Sequence, residues 1–326
     1  DVTVWEDNAY QTRSGDNWDL TEIAYGKDGS GNPFYVAVVN SNNPEIIHDD
    51  DGDITDGQQW TEINLGGSNQ PVGNLRQRTV EWGNNVWVTA GMLTSSNKYI
   101  YRSTDGTSWT AIDISGLTDI GNVYTNGIYA LTQDGAGKWW FGIGGKLYHS
   151  SDNASSWSLH ATFTGETIQD LVYTNNTLVA LVKSGGNAHL RAAASSDTTD
   201  FSSLVQLEDS NSDGLNGNNA KRMAAGAGRV VVRDTARTLA ADVSGKTITI
   251  QGTRQDLPDE GNLNAICTDG QGNWYTGSDG GSTGPDGGDI CRSTDNGLSW
   301  SKIAEGINKS GDRKVEDIVA DVYLPV

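Results

Sequence analysis

RSTDNGLSW, residues 292–300, recurs along the chain at a nearly constant interval, and this periodicity restricts the possible folds more than any other feature does. Ser103-Thr104-Asp105-Gly106-Thr107-Ser108-Trp109 is one residue shorter, and Ser150-Ser151-Asp152-Asn153-Ala154-Ser155-Ser156-Trp157 has full length with Ala154 where Gly297 stands. Weaker copies keep the order of residue types: Ser14 to Trp18 around Asp16, Thr55 to Trp60 around Asp56, and Ser195 to Phe201 around Asp197. The closing aromatic falls at 18, 60, 109, 157, 201 and 300, spaced 42, 49, 48 and 44 residues apart and then 99. VSGKTITI, residues 243–250, is a degenerate copy that divides the long gap. If the chain is closed on itself, the return from Trp300 to Trp18 is one more repeat, so seven units are expected. A fixed period in this range means stacked or radial supersecondary units, because one such unit cannot bury its apolar face alone.

The residues between the copies alternate as strands do. RTVEWGNNVWVTAG (78–91) followed by KYIYRSTDGTSWTAI (98–112) contains four short runs rich in β-branched and aromatic residues,. Residues 126–160, 169–182 and 264–277 repeat the pattern, with Asn-Asn or Asp-Gly-x-Gly where tight turns need positive φ,. Four strands per repeat, repeated radially, is the arrangement of a β-propeller blade, which protects sheet edges. The expectation is an all-β fold: a single seven-bladed β-propeller over 1–326. Its blades run approximately over 24–65, 78–115, 123–163, 168–207, 220–252 and 262–306, with 313–326 plus 1–23 sharing the last and closing the ring.

The motif resembles the Asp-box, or BNR repeat, of sialidases and other propeller families. The resemblance is strongest at Ser293, Asp295, Gly297 and Trp300, good at Ser103, Asp105 and Trp109 and at Ser150, Asp152 and Trp157, and degraded at Asp16 with Trp18, Asp56 with Trp60, and Asp197 with Phe201. It implies a structural role for the aspartates: the carboxylate accepts from nearby backbone N–H groups, the serine assists, glycine takes positive φ, and the tryptophan packs beneath. Sialidases also need an arginine triad, a Tyr–Glu nucleophile pair and an Asp acid/base. They commonly carry an early Arg-Ile-Pro, which is absent here, and the 12 Arg follow no such pattern. The xyloglucanase relatives place one carboxylate on each of two facing propellers, and one propeller has no such partner. A photosystem II assembly propeller with this repeat is known for arginines on one face, against which the acidity of this chain argues. The chain is therefore read as non-catalytic. The style of Glu81 to Val88 followed by Ser103 to Trp109 resembles propellers in phage tail-associated and fibre-like proteins and in bacterial surface proteins.

Charge narrows the partners. Twenty-two Lys and Arg stand against 42 Asp and Glu, a formal net charge of −20. Phosphate backbones and anionic lipid headgroups need clustered basic side chains, so neither nucleic acid nor membrane insertion is expected. Cys267 and Cys291 are too few for a disulfide framework, and a strand between them keeps them apart as free thiols. The start DVTVWEDNAY lacks the features of a signal peptide,.

No cofactor is required by this reading, although calcium is compatible with two stretches. Asp209, Asn211 and Asp213 occupy positions 1, 3 and 5 before Gly214, a spacing that lets oxygens converge on a hard cation. Ala220 stands where the twelfth-position carboxylate would be, and a plain Asx-rich turn is the competing reading. Asp49, Asp51 and Asp53 form a second acidic stretch, with a solvated loop as its alternative. His48, His149, His160 and His189 look too dispersed for a triad or a metal site. Trp82, Trp87, Trp139, Trp140 and Trp274 are expected to pack between blades. The functional expectation is a structural or recognition module in a virion or outside the cell, meeting other virion proteins or a host surface glycan or protein. A bacterial extracellular or periplasmic binding propeller is the alternative class.

Overall fold

The computed structural model describes residues 20–39, 46–49, 60–63, 65, 77–91, 98–118, 120, 127–194, 200–257, 263–278, 288–307 and 317–318. Every regular element among them is a strand, and the strands form six four-stranded sheets in chain order. The first sheet holds β1 (Leu20–Lys27), β2 (Pro33–Val39), β3 (Ile46–Asp49) and β4 (Thr61–Ile63). The second holds β5 (Gln77–Gly83), β6 (Val86–Gly91), β7 (Tyr99–Ser103) and β8 (Thr110–Asp113), and the third β9 (Ala130–Gln133), β10 (Trp139–Ile143), β11 (Lys146–Ser150) and β12 (Ser158–Thr162). The fourth is β13 (Glu166–Thr174), β14 (Thr177–Ser184), β15 (Asn187–Ala194) and β16 (Val205–Gln206). The fifth is β17 (Arg222–Gly226), β18 (Arg229–Arg233), β19 (Arg237–Ser244) and β20 (Thr247–Asp256), and the sixth β21 (Leu263–Thr268), β22 (Trp274–Ser278), β23 (Gly288–Ser293) and β24 (Ser301–Ile307).

Six sheets, not seven, correct the count read from spacing. Six of the motif copies, those ending at 60, 109, 157, 201 and 300 and the degenerate one at 243–250, lie between the third and fourth strands of a sheet. The copy at Ser14 to Trp18 lies outside the described residues, and β1, the first strand of the first sheet, begins two residues after it. Among the described residues no seventh sheet accompanies it. Most of the expected closing blade, 313–326 with 1–23, lies outside the described residues.

Local chemistry explains the hairpins. Asn84 and Asn85 join β5 to β6 with φ of 48° and 58°, and Asn175 and Asn176 join β13 to β14 at 46° and 56°. Two consecutive left-handed residues give a turn whose twist matches the strands on either side, and Asn tolerates that region. The second strands are largely buried, and β6 (VWVTAG) and β10 (WWFGI) are buried at every residue. Such strands lose the alternation of a one-sided sheet because both faces pack against protein.

The chain divides into two compact units. One contains the first two sheets together with Gly135–Lys138 and Ser150–Trp157. Its core joins Phe34, Val36, Val38 and Ile46 of the first sheet to Val80, Trp87 and Tyr101 of the second. The sheets meet so closely at Gly26 that a Cβ there would lie 2.2 Å from Trp82 Cγ. The other unit holds the remainder, and its cores alternate with its sheets. Trp140 and Leu147 pack with Leu171, Leu178 and Ala180; Val179, Leu181 and Leu190 with Val230, Val232 and Leu239; and Val231 and Ala240 with Ile266 and Trp274. First strands face first strands within each unit: β1 against β5, and β13 against both β9 and β17, with β17 also against β21.

Candidate functional site

Three turns between third and fourth strands share one hydrogen-bonding scheme. Ser103 Oγ donates to Asp105 Oδ1 at 2.9 Å and accepts from Gly106 N at 2.8 Å, while Asp105 Oδ1 accepts from Thr107 N and Ser108 N at 2.8 and 2.7 Å. Ser150 and Asp152 repeat it, with Ala154 N on the hydroxyl at 3.0 Å and Ser155 N and Ser156 N on the carboxylate at 3.1 and 2.8 Å. Ser293 and Asp295 do the same with Gly297 N, Leu298 N and Ser299 N. The Trp109 indole closes its turn by donating to Gly106 O at 3.0 Å. Burial pushes the Asp105 carboxyl up, but the Ser108 and Thr107 amides and the Ser103 hydroxyl outweigh it and lower the pKa to about 2,. Asp152 is likewise lowered to about 2, burial being outweighed by the Ser156 and Ser150 hydroxyls and the Ser156 and Ser155 amides, and Asp295 is lowered for the same reasons.

These turns also fasten neighbouring sheets. A Cβ at Gly106 would lie 2.3 Å from Phe34 Cε1 of β2, and one at Gly297 2.5 Å from Val231 of β18. Arg102 Nε of β7 donates to Asn153 O at 2.9 Å, and Arg229 Nη1 of β18 donates to Asn296 O at 3.1 Å. Trp60, beside β4, packs with Ala37, Val39 and Ile47, while Phe201 packs edge-on against Phe163 with centroids 5.1 Å apart. Asp16, Trp18, Asp56 and Asp197 lie outside the described residues.

Two first-strand carboxylates make a second kind of joint that motif reading missed. Glu22 of β1 accepts from Thr79 Oγ1 at 3.1 Å and from Val80 N at 3.4 Å, both on β5. Asp170 of β13, 7% exposed, accepts from Leu171 N at 2.8 Å and from Met223 N of β17 at 2.7 Å. Each follows a bulge, between Leu20 and Glu22 in β1 and between Ile168 and Asp170 in β13. The extra residue turns the next side chain sideways toward the neighbouring sheet. An acidic residue inside an apolar strand run was the only sequence signal.

The loop at Asp209 closes on itself. Asp209 Oδ1 accepts from Asn211 N and Asp213 N at 2.8 and 3.1 Å, and Oδ2 from Arg254 N at 2.9 Å. The Arg254 amide, ahead of burial and the other two amides, holds this carboxyl below its ordinary range. The Arg254 guanidinium stands 3.7 Å from Asp213 Oδ1, so protein already supplies positive charge to the loop. Asp49 ends β3, buried and paired across to Tyr35, whereas Asp51 and Asp53 lie outside the described residues. Among the described residues no group of three or more His, Cys, Asp or Glu is placed to hold a metal ion. Cys267 on β21 and Cys291 on β23 are free thiols with β22 between them.

One large aromatic side chain is exposed beside the first strands. Tyr129, 44% exposed, immediately precedes β9, and the Arg78 guanidinium from the bulge of β5 lies 5.9 Å from its ring centroid. Gly127 makes room for the ring: a Cβ there would stand 3.2 Å from Tyr129 Cε2 and equally close to Gly91 O. The adjoining Ile128 N donates to Gly91 O at 2.9 Å, which fixes the backbone that presents the tyrosine. An aromatic face with a cation over it can stack on planar or C–H-rich groups and attract an acceptor at its edge.

Residues 1–141 match the family described as DUF6242 beta propeller domain. The chain is a β-propeller. Solved structures agree on that fold. YCF48 bound to D1 peptide aligns over 87% of this chain and 82% of its own, with 13% identity and a TM-score of 0.57. The GH74 xyloglucanase from Xanthomonas campestris aligns over 88% of this propeller and 47% of its own length, with 14% identity and a TM-score of 0.57. The extracellular domain of the putative hybrid two-component system BT4673 from B. thetaiotaomicron aligns over 97% and 37%, with 14% identity and a TM-score of 0.54. No curated protein matches the chain.

Proposed function

We propose that this propeller is a non-catalytic recognition module of a bacterial extracellular protein, and that Tyr129 with Arg78 marks where it takes up an extended protein segment. The carrying observation is the contrast beside the first strands: Glu22 and Asp170 are spent on backbone amides of neighbouring strands, whereas Tyr129 is presented to solvent with a guanidinium over its ring. A carboxylate held by two donors is a poor proton shuttle, and an exposed aromatic with a cation is a common anchor in binding surfaces. Two neighbours support the same reading: YCF48, which carries a peptide, and BT4673, whose aligned part is extracellular. In this reading the serine–aspartate turns are Asp-boxes with the structural role their hydrogen bonds suit. The virion reading rests on repeat style alone.

Selection from a displayed library of unstructured peptides tests the proposal. The intact chain should enrich a shared motif with micromolar affinity, and Tyr129→Ala should weaken it at least tenfold while the melting midpoint stays unchanged. Retention of glycans with no peptide enrichment would overturn the protein-segment reading. Turnover of a polysaccharide would overturn the non-catalytic one.

A further inference from the structure

The four histidines look unrelated in sequence, but strand pairing brings two of them together. His149 lies on β11 and His160 on β12, and their ring centroids are 4.6 Å apart with planes inclined at 52°. The ladder between these strands slips between Leu147 and Tyr148, with Leu147 opposite Ala161 and Tyr148 opposite Leu159. His160 is the residue the slip inserts, and a bulge re-aims the side chain it carries. Both imidazoles are partly exposed, and β12 is the last strand of its sheet. Ser158 Oγ lies 3.3 Å from His149 Nδ1. In the tautomer whose Nδ1–H donates to that hydroxyl, Nε2 presents its lone pair, an arrangement metal-ligating histidines use to fix the ring.

The ring separation can be compared with what one ion would require. A metal sits about 2.0 Å from an imidazole nitrogen and so about 3.2 Å from the ring centroid. Two rings bound at a right angle then have centroids about 4.5 Å apart, and two at the tetrahedral angle about 5.2 Å apart. The observed 4.6 Å fits adjacent positions of a tetragonal ion, the geometry of Cu(II) and Ni(II), and Cu(II) heads the divalent series for nitrogen ligands. We propose that His149 and His160 form a surface site for a tetragonal divalent metal, Cu(II) above all, with water completing the coordination.

Titration of the intact chain with Cu(II), followed by calorimetry and electron paramagnetic resonance, tests this. One equivalent should bind in the micromolar range with hyperfine structure from two nitrogens. His149→Ala or His160→Ala should each weaken binding at least tenfold, and His189→Ala should leave it unchanged; Zn(II) should bind less tightly. No binding by the wild type, a one-nitrogen spectrum, or a His149→Ala/His160→Ala double variant that binds as the wild type does would overturn the proposal. None of these outcomes depends on whether the Tyr129 face binds a protein segment.

Discussion

Asp105 and Asp170 perform one chemical task at two ranges. In its turn, Asp105 binds amides two and three residues ahead, helped by a serine two residues behind. On β13, Asp170 binds an amide 53 residues away on the next sheet. The first closes a loop with partners inside one turn; the second exists only after two sheets have docked. Local carboxylates therefore shape each blade, and distant ones hold blades side by side.

That contrast can be broken by mutation. Asp170→Ala strands the buried Met223 amide and should cost about 3 kcal/mol, since a buried donor that had a charged acceptor loses both bond and hydration. Urea unfolding checks it, and a loss under about 1 kcal/mol would remove the joint from any important role. Ser103→Ala should cost less, about 1.5 kcal/mol, because Asp105 keeps its two amide donors and the amides of Gly106 and Asp105 lose a neutral hydroxyl rather than a charged acceptor,.

Acid sharpens the same comparison with a smaller effect. The turn aspartates have folded pKa values below the unfolded value, so their contribution is complete above about pH 4 and disappears as pH falls through about 2,. Thermal melts from pH 5 to pH 2 should show midpoints falling across that window. Asp152→Asn should flatten the fall by its own share, and an unaltered slope would show that the turns contribute nothing through ionisation.

What could be read beforehand follows the same division. Serine, aspartate and tryptophan within eight residues announced the turns, since every partner lies inside the motif. Asn84-Asn85 and Asn175-Asn176 announced hairpins for the same reason. The blade count of seven came from residue types and spacing alone, whereas strand pairing among the described residues gives six sheets, the first beginning with β1. Glu22, Asp170 and the meeting of His149 with His160 depend on bulges, and a one-residue slip of register leaves no trace in composition. Tyr129 was hidden differently: its neighbour Arg78 is 51 positions upstream, too far for any local pattern to pair them.

The arginine contacts at Asn153 and Asn296 bear on how such a chain can be rearranged. Each runs from one sheet to the carbonyl of a turn in the next, and the turn presents that carbonyl from a left-handed residue, φ 57° and 62°. A turn thus belongs as much to the preceding sheet as to its own. Exchanging single sheets between related propellers would split every such pair, because each runs from a strand of one sheet to a turn beyond the third strand of the next, and moving the breakpoint within a sheet does not help, since each pair spans more than four strands. A graft that keeps these contacts must therefore carry two neighbouring sheets together.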